Sequence, residues 1–136
     1  MALAGQLRFQ HLRTDEIIIF KRWLILHEKE WEQYDFDVHV GVGVEMPEAG
    51  EKYSTMYKRL TQKRIDVVAK RPREIMLIEI RPRTDHTALG NLLAYRDLFL
   101  RDFKPTEHVG LLVVSDEVSA DDRYALEKNG VVVEIV

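Results

Sequence analysis

Two apolar runs on either side of a short basic turn, within residues 64–83, constrain the fold of this 136-residue chain more than any other feature. The runs read RIDVVAK and EIMLIEI, and the RPRE between them contains a proline that favours a turn. Short runs rich in Val and Ile around such a turn predict an antiparallel β-hairpin. Each predicted strand nevertheless carries one carboxylate, Asp66 or Glu79, among its apolar residues.

The segments before the hairpin predict a helix and a first strand. Thr14 is a plausible helix cap, and the apolar-rich segment after it predicts a helix over about 15–33. A strand is predicted over about 35–46, because apolar residues alternate there and would share one face: Phe36, Val38, Val40, Val42 and Val44. Residues 47–62 lack a clear period and predict a long loop or a short helical excursion.

The segments after the hairpin alternate between helix and strand. Asp85 or Thr87 is expected to cap a second helix, whose predicted apolar face comprises Leu89, Leu92, Leu93, Phe99, Leu100 and Phe103. HVGLLVVS predicts a buried strand, SADDRYALEKNG a capped helix, and VVVEIV a final strand. The predicted order is therefore α-β-β-β-α-β-α-β, an α/β fold with a central mixed sheet flanked by helices.

Composition sets the class of protein. A chain of 136 residues that is 46% hydrophobic has material for one core, so we expect a single domain over 1–136. The net charge of −3 gives no general basic footprint, so any nucleic-acid contact must come from a local patch. The absence of cysteine excludes disulfides and Cys-based metal sites. With no apolar run of about 20 residues and no export signal, we expect no membrane partner and a cytoplasmic or virion location.

One local basic patch lies directly before Asp66. Its cations are interleaved with Tyr53 and Tyr57 and comprise Lys52, Lys58, Arg59, Lys63 and Arg64. Such a segment suits a nucleic-acid backbone, and Lys58, Arg59, Lys63 and Arg64 are the predicted contacts. A solvated loop is the alternative interpretation.

The order of elements and the placement of the acidic residues together resemble the PD-(D/E)XK nuclease superfamily, whose restriction-endonuclease-like core is αβββαβ. The resemblance covers nearly the whole chain. It rests on Asp66 in RIDVV, on Glu79 and Arg81 in IEIR, and on Asn91 and Tyr95 in NLLAY, where the RecB-like branch usually has Gln-x-x-x-Tyr. Two positions depart from the pattern, because Arg81 replaces the family lysine and Asn91 replaces the family glutamine.

The resemblance implies that Asp66 and Glu79 are metal ligands and that Asp66, Glu79 and Arg81 form the catalytic site, with Mg²⁺ or Mn²⁺ as cofactor. Phosphodiester cleavage needs a hard cation held by oxygen ligands, which two carboxylates on adjacent strands can supply. Residues 79 and 81 of a strand point to one side, so Arg81 would stand over the same metal and phosphate. Arginine stays charged, so it can clamp a phosphate but cannot act as the base.

A less specific interpretation also fits these residues. Asp66 and Glu79 could be ordinary polar residues of an exposed strand face, with Glu79 paired to Lys63, Arg64 or Arg81. Asn91 and Tyr95 lie four residues apart and would share one flank of the second helix, either in a site or at the boundary of the core.

The first predicted helix carries more apolar residues than one buried stripe requires: Ile17, Ile18, Ile19, Phe20, Trp23, Leu24, Ile25 and Leu26. The surplus predicts a second covered side, with Ile18 and Trp23 at the interface of a homo-oligomer or larger assembly. A helix wedged more deeply into its own domain is the alternative.

Two functions follow from these observations. The altered lysine and glutamine positions and the surplus apolar surface favour a non-catalytic structural or assembly module with a degenerate site, for example a phage virion component, which needs no cofactor. The alternative is a metal-dependent DNA endo- or exonuclease in which Arg81 stands in place of the family lysine.

Overall fold

The structure is a computed structural model that describes residues 11–136. Within that range the helices are α1 Thr14–His27, α2 Glu51–Thr61, α3 Thr87–Phe103 and α4 Ala120–Lys128. The strands are β1 Gln33–Val40, β2 Lys63–Arg71, β3 Glu74–Arg83, β4 His108–Glu117 and β5 Val131–Ile135, and short 3-10 turns cover Glu28–Glu30 and Pro47–Ala49. None of the helices in this range has the length and apolar character that crossing a bilayer requires.

The five strands form one mixed sheet in the order β1-β2-β3-β4-β5. The pairs β1–β2 and β2–β3 are antiparallel, whereas β3–β4 and β4–β5 are parallel. Helix α1 packs on β3 and β4, α3 contacts the first four strands, and α4 packs against β5. The predicted hairpin is confirmed, and so is the predicted fold class: an α/β, restriction-endonuclease-like core with a C-terminal helix and strand.

The sheet is buried on both faces, because separate apolar clusters cover them. On the face that carries α1, the buried cluster is Leu12, Ile19, Phe20, Trp23, Leu24, Val67, Ala69, Ile78, Ile80, Leu112 and Val114. On the face that carries α3, Val40, Ile65, Val68, Leu77, Leu92, Phe99, Leu111, Val113 and Leu126 are among the members. Since β4 contributes alternate residues to both clusters, its sequence is a continuous apolar run, as expected for a central parallel strand.

Helix α1 differs from the prediction at both ends. Thr14 is the first helical residue and not the cap, which is Arg13. Glu16 closes this end, because its Oε1 accepts a hydrogen bond of 2.9 Å from the Arg13 N–H. The helix ends at His27 and not near residue 33, since the chain must turn to pair Gln33 with Lys70 in the sheet.

The predicted interface on α1 is half wrong. Trp23 is only 1% exposed and belongs to the core of its own domain, where its ring stacks on Phe20 at a centroid distance of 5.6 Å. It therefore has no surface to offer a partner. Ile18, in contrast, is 48% exposed, so the wedged-helix interpretation accounts for only part of the apolar surplus.

The prediction for β1 is wrong about the length of the strand and about the face of the sheet on which its apolar side chains pack. The strand ends at Val40, and Val42 and Val44 are exposed. Tyr34 and Phe36 pack on the α1 face, but Val38 and Val40 pack on the α3 face, so the apolar residues do not share one side. Asp37 lies between the two sets with a left-handed φ of 54°, which turns the strand over.

Residues 47–62 follow the helical alternative, as a 3-10 turn and then α2. None of the residues of α2 is buried. On α3, Leu92 and Phe99 are buried as predicted, whereas Leu100 and Phe103 are 41% and 53% exposed.

Candidate functional site at the start of strand β2

A paired irregularity in β1 and β2 lies at the centre of the candidate site. Ile65 packs on the α3 face and Val67 on the α1 face, so β2 turns over between them, as β1 does at Asp37. The register pairs Phe36 with Val67 and Val38 with Ile65, and the intervening pair of Asp37 and Asp66 is missing from the ladder. We call this pair the β1–β2 kink.

Arg64 stabilises the β1 side of the kink. Its guanidinium donates from Nε and from an Nη to the two carboxylate oxygens of Asp37, at 2.5 and 2.6 Å. This bidentate pair lowers the pKa of Asp37, chiefly through the hydrogen bonds from Arg64. Aspartate also tolerates a left-handed φ better than most residues. Arg64, predicted to bind nucleic acid, thus forms an ion pair with the Asp37 carboxylate in this structure, and the nucleic-acid contact stays a prediction.

Asp66 occupies the β2 side of the kink. Its Oδ2 accepts a hydrogen bond of 2.9 Å from the backbone N–H of Ile80, beyond the point where the β2–β3 ladder stops at Val67 and Ile78. Burial raises the pKa of Asp66 to about 7, with smaller increases from Glu79 and Glu16, whereas the Ile80 N–H and Arg81 oppose the shift. This carboxylate is thus short of positive charge.

Glu79 lies on β3, on the face covered by α3, and is 6% exposed. Arg81 Nε lies 3.3 Å from Glu79 Oε2, but the contact is not aligned as a hydrogen bond, so Oε2 is buried without a hydrogen-bond partner among residues 11–136. The long bonds to Oε1, from Arg81 and from Asn91, are both 3.4 Å. Burial raises the pKa of Glu79 in spite of these two neighbours.

The remaining site residues predicted from the sequence are Arg81, Asn91 and Tyr95. Arg81 also donates to Thr87 Oγ1 at 3.3 Å, at the beginning of α3. One turn further along α3, Asn91 reaches Glu79, and Tyr95 follows after another turn. Burial raises the pKa of Tyr95 to about 12, with smaller increases from the charges of Glu79 and Asp66.

The structure adds His11 and Glu16, which the sequence analysis does not connect with the site. His11 Nε2 lies 3.7 Å from Asp66 Oδ1, and burial lowers the pKa of this imidazole. Glu16, in the first turn of α1, raises the pKa of both Asp66 and Glu79. Neither residue carries a sequence signal, because about fifty residues separate them from Asp66 and only the packing of α1 on β3 brings them near.

The carboxylates suit one type of metal site. Within residues 11–136, no three His, Cys, Asp or Glu side chains are grouped so that they could hold an ion, so a cage built from protein alone is excluded for that range. Mg²⁺, however, is usually held by one or two carboxylates with water and substrate phosphate. Asp66 and Glu79, whose Oε2 accepts no hydrogen bond within residues 11–136, fit that smaller donor set.

The predicted basic contacts separate into two groups. Lys58 lies 3.8 Å from Glu45, and Arg64 is bound to Asp37. Arg59 and Lys63 are exposed and form no ion pair with any residue of 11–136. A cavity of about 340 Å³ lies elsewhere, near the β2–β3 turn and the C-terminal end of α3, and is lined by Lys70, Phe103 and neighbouring residues.

Comparison with known proteins agrees with the fold. No protein-family model matches the sequence, and no curated protein matches it. The chain is similar to the crystal structure of AF1548, a protein of unknown function, with 16% identity, a TM-score of 0.50, and coverage of 88% of this chain and 57% of that one. It is also similar to a structure of EndoMS in complex with double-stranded DNA, with 13% identity, a TM-score of 0.52, and coverage of 96% and 48%.

The chain thus spans about half the length of the two solved structures it matches. At these levels of identity the similarity concerns the fold alone. Together with the mixed sheet and its flanking helices, it is consistent with a restriction-endonuclease-like α/β fold.

Proposed function

We propose that this chain is a PD-(D/E)XK-like domain and a metal-dependent phosphodiesterase. It would bind a phosphate of a nucleic acid at Asp66, Glu79 and Arg81 and cleave the phosphodiester bond there. The observation that carries the proposal is the buried Oε2 of Glu79, which accepts no hydrogen bond within residues 11–136 although Arg81 Nε lies 3.3 Å away, together with the raised pKa of the nearby Asp66. Two carboxylates with raised pKa values in one place are costly to the fold unless a cation or proton joins them. The sequence favours the structural alternative; this geometry favours the phosphodiesterase.

Asp66 and Glu79 are the residues that would hold the ion. A bound Mg²⁺ or Mn²⁺ would supply Lewis-acid polarisation of the phosphate and a lowered pKa for the attacking water. Arg81 would bind a phosphate oxygen, because guanidinium matches phosphate geometry and keeps its charge. Asn91 would orient Glu79 through the 3.4 Å contact. Asp66 is fixed for this task by the hydrogen bond from Ile80.

Cleavage of end-labelled DNA in Mg²⁺ or Mn²⁺ tests the proposal. We expect Asp66→Ala to abolish cleavage, Arg81→Ala to reduce it strongly, and Arg81→Lys to keep part of it. Glu117→Gln is the matched control, since this exposed carboxylate pairs with Arg83 at 2.9 Å at the same end of β3. Wild-type activity no greater than that of Asp66→Ala would contradict the proposal.

Ion binding can be followed without activity. Mg²⁺ should raise the midpoint of thermal unfolding of the wild-type chain at pH 8, because an ion that binds only the native state stabilises it. Asp66→Asn should abolish that increase, and Glu117→Gln should retain it.

A second candidate function is a non-catalytic structural or assembly module, including a component of a phage particle. The observation in its favour is the exposed apolar stripe of α1, where Ile18, Ile25 and Leu26 are 48%, 79% and 66% exposed. This candidate predicts self-association, so Ile25→Lys should reduce the mass measured by light scattering, whereas Tyr124→Lys on α4 should leave it unchanged. It also predicts that the wild type does not cleave DNA, and that Arg81→Lys is the variant with a chance of restoring cleavage.

A further inference from the structure

Helix α2 packs with its polar side toward the protein and its apolar side toward solvent. Ser54 Oγ accepts a hydrogen bond of 3.3 Å from the Met46 N–H, and Thr61 Oγ1 accepts one of 2.6 Å from the Val44 N–H. These contacts hold the helix against the segment that follows β1. The usual arrangement of a surface helix is thereby reversed.

The outward side of α2 is an apolar stripe with helical spacing i, i+3, i+4, i+7. Its members are Tyr53, Met56, Tyr57 and Leu60, which are 62%, 50%, 39% and 71% exposed. A contiguous apolar face in water is a mark of an interaction surface. We call these four residues the α2 stripe.

The backbone fixes the direction of the α2 stripe. Gly43 has a φ of +64°, and a Cβ at this position would lie 2.4 Å from the Lys58 carbonyl oxygen. Only glycine permits the helix to approach so closely in that conformation. Rolling the stripe inward would break this contact and the hydrogen bond to Thr61.

The charges beside the α2 stripe indicate an anionic partner. Lys52 and Arg59 lie along its edge, and Lys63 follows at the beginning of β2. None of these three cations forms an ion pair within residues 11–136, although Lys58 is 3.8 Å from Glu45. A second copy of α2 would bring like charges together, so self-association through this face is disfavoured.

We propose that the α2 stripe is a stacking surface for unpaired bases, so that the substrate class is nucleic acid with a single-stranded segment beside the bound phosphate. The inference rests on the proposed function and specifies its substrate. Tyrosine rings stack on any base, but duplex bases are hidden within their own stack. Lys63 would guide the backbone toward Asp66, three residues further along β2, a distance of about 10 Å.

Fluorescence anisotropy with EDTA present measures binding without cleavage. The probes are a short fluorescein-labelled DNA strand and the same strand in a blunt duplex. We expect the wild type to bind the single strand more tightly than the duplex, and Tyr53→Ser/Tyr57→Ser to weaken that binding at least about tenfold. Tyr124→Ser is the matched control, since Tyr124 is 70% exposed on α4, and it should not change the affinity. As no α2 residue is buried, the double variant should unfold at the wild-type temperature.

The outcomes separate this inference from the proposed function. Tight single-strand binding by Asp66→Ala, together with no cleavage by the wild type, would overturn the proposed function and leave the α2 stripe supported. Cleavage with equal affinities for wild type and double variant would overturn the stacking role alone. Two further outcomes, each with unchanged DNA affinity in the double variant, would also overturn the stacking role. A lower mass in light scattering would assign the α2 stripe to contact with a second copy. Loss of binding to phosphatidylglycerol vesicles would assign it to a membrane surface.

Discussion

The two halves of the sheet are built differently. Strands β3, β4 and β5 are parallel to one another. The β3–β4 register runs without a break from Glu74 opposite His108 to Arg81 opposite Ser115. Between β1 and β2 the antiparallel register loses the pair of Asp37 and Asp66, and both strands turn over there. The continuous half is mostly apolar, with Glu79 and Ser115 among its buried polar residues, whereas the interrupted half carries Asp66 at the break in the ladder. The candidate site therefore lies where the break in the β1–β2 ladder, at Asp66, adjoins Glu79 and Arg81 on the continuous strand β3.

The largest expected effect is in the continuous half. Leu112→Ala removes a side chain that is 2% exposed, so we expect the free energy of unfolding to fall by about 2–5 kcal/mol. Urea denaturation measures the change. Leu100→Ala, the same substitution at a residue 41% exposed, should cost much less. Equal losses at the two positions would mean that β4 does not hold the core together.

In the interrupted half, a substitution at Asp66 should raise the free energy of unfolding and not lower it. Its pKa is raised to about 7, so the native state binds more protons than the unfolded chain between the usual value and pH 7. Stability from this group therefore falls as the pH rises through about 7. Without Mg²⁺, Asp66→Asn should raise the free energy of unfolding at pH 8 by on the order of 2 kcal/mol, and the gain should vanish near pH 4. Denaturation at both pH values measures it, and a loss of stability at pH 8 would contradict it.

Asp37 gives a smaller effect with the opposite dependence on pH. Arg64 lowers its pKa, so the stability from this pair is present above the usual pKa of aspartate and is lost as the pH falls through the lowered value. Asp37→Ala should cost about 1–2 kcal/mol at pH 7, from the lost ion pair and the strained φ of 54°. Asp37→Gly loses the same pair without the strain, so it should be the more stable of the two variants. Thermal unfolding of both variants checks the order.

The smallest expected effect is at Val44, beyond the end of β1. This residue is 51% exposed and outside the ladder, so Val44→Thr should change the free energy of unfolding by less than about 0.5 kcal/mol. The sequence-based strand over 35–46 predicts a larger loss from the same change. Urea denaturation distinguishes the two, and a large loss would mean that the kinked half extends further than Val40.

The order of elements apart from α2, whose segment the sequence leaves open between a loop and a helix, could be predicted from the sequence. The proximity of Asp66, Glu79 and Arg81 could be predicted as well. The hairpin, α3 and the last three elements follow from local signals, namely apolar period, the turn at RPRE and the Asn-Gly after α4. Such signals involve only a few neighbouring residues, so they can be read without knowledge of the tertiary contacts. The same locality allows Glu79 and Arg81 to be assigned to one side of a strand.

Only the tertiary structure decided which residues the site includes and how charged they are. Period-2 alternation cannot reveal the β1–β2 kink, because Asp37 changes the face of the strand without changing the sequence pattern on either side. The burial that raises the pKa of Asp66, the approach of His11 and Glu16, and the enclosure of Trp23 all depend on α1 packing across the sheet. Burial and electrostatic coupling are properties of residues close in space, and distance along the chain does not encode them.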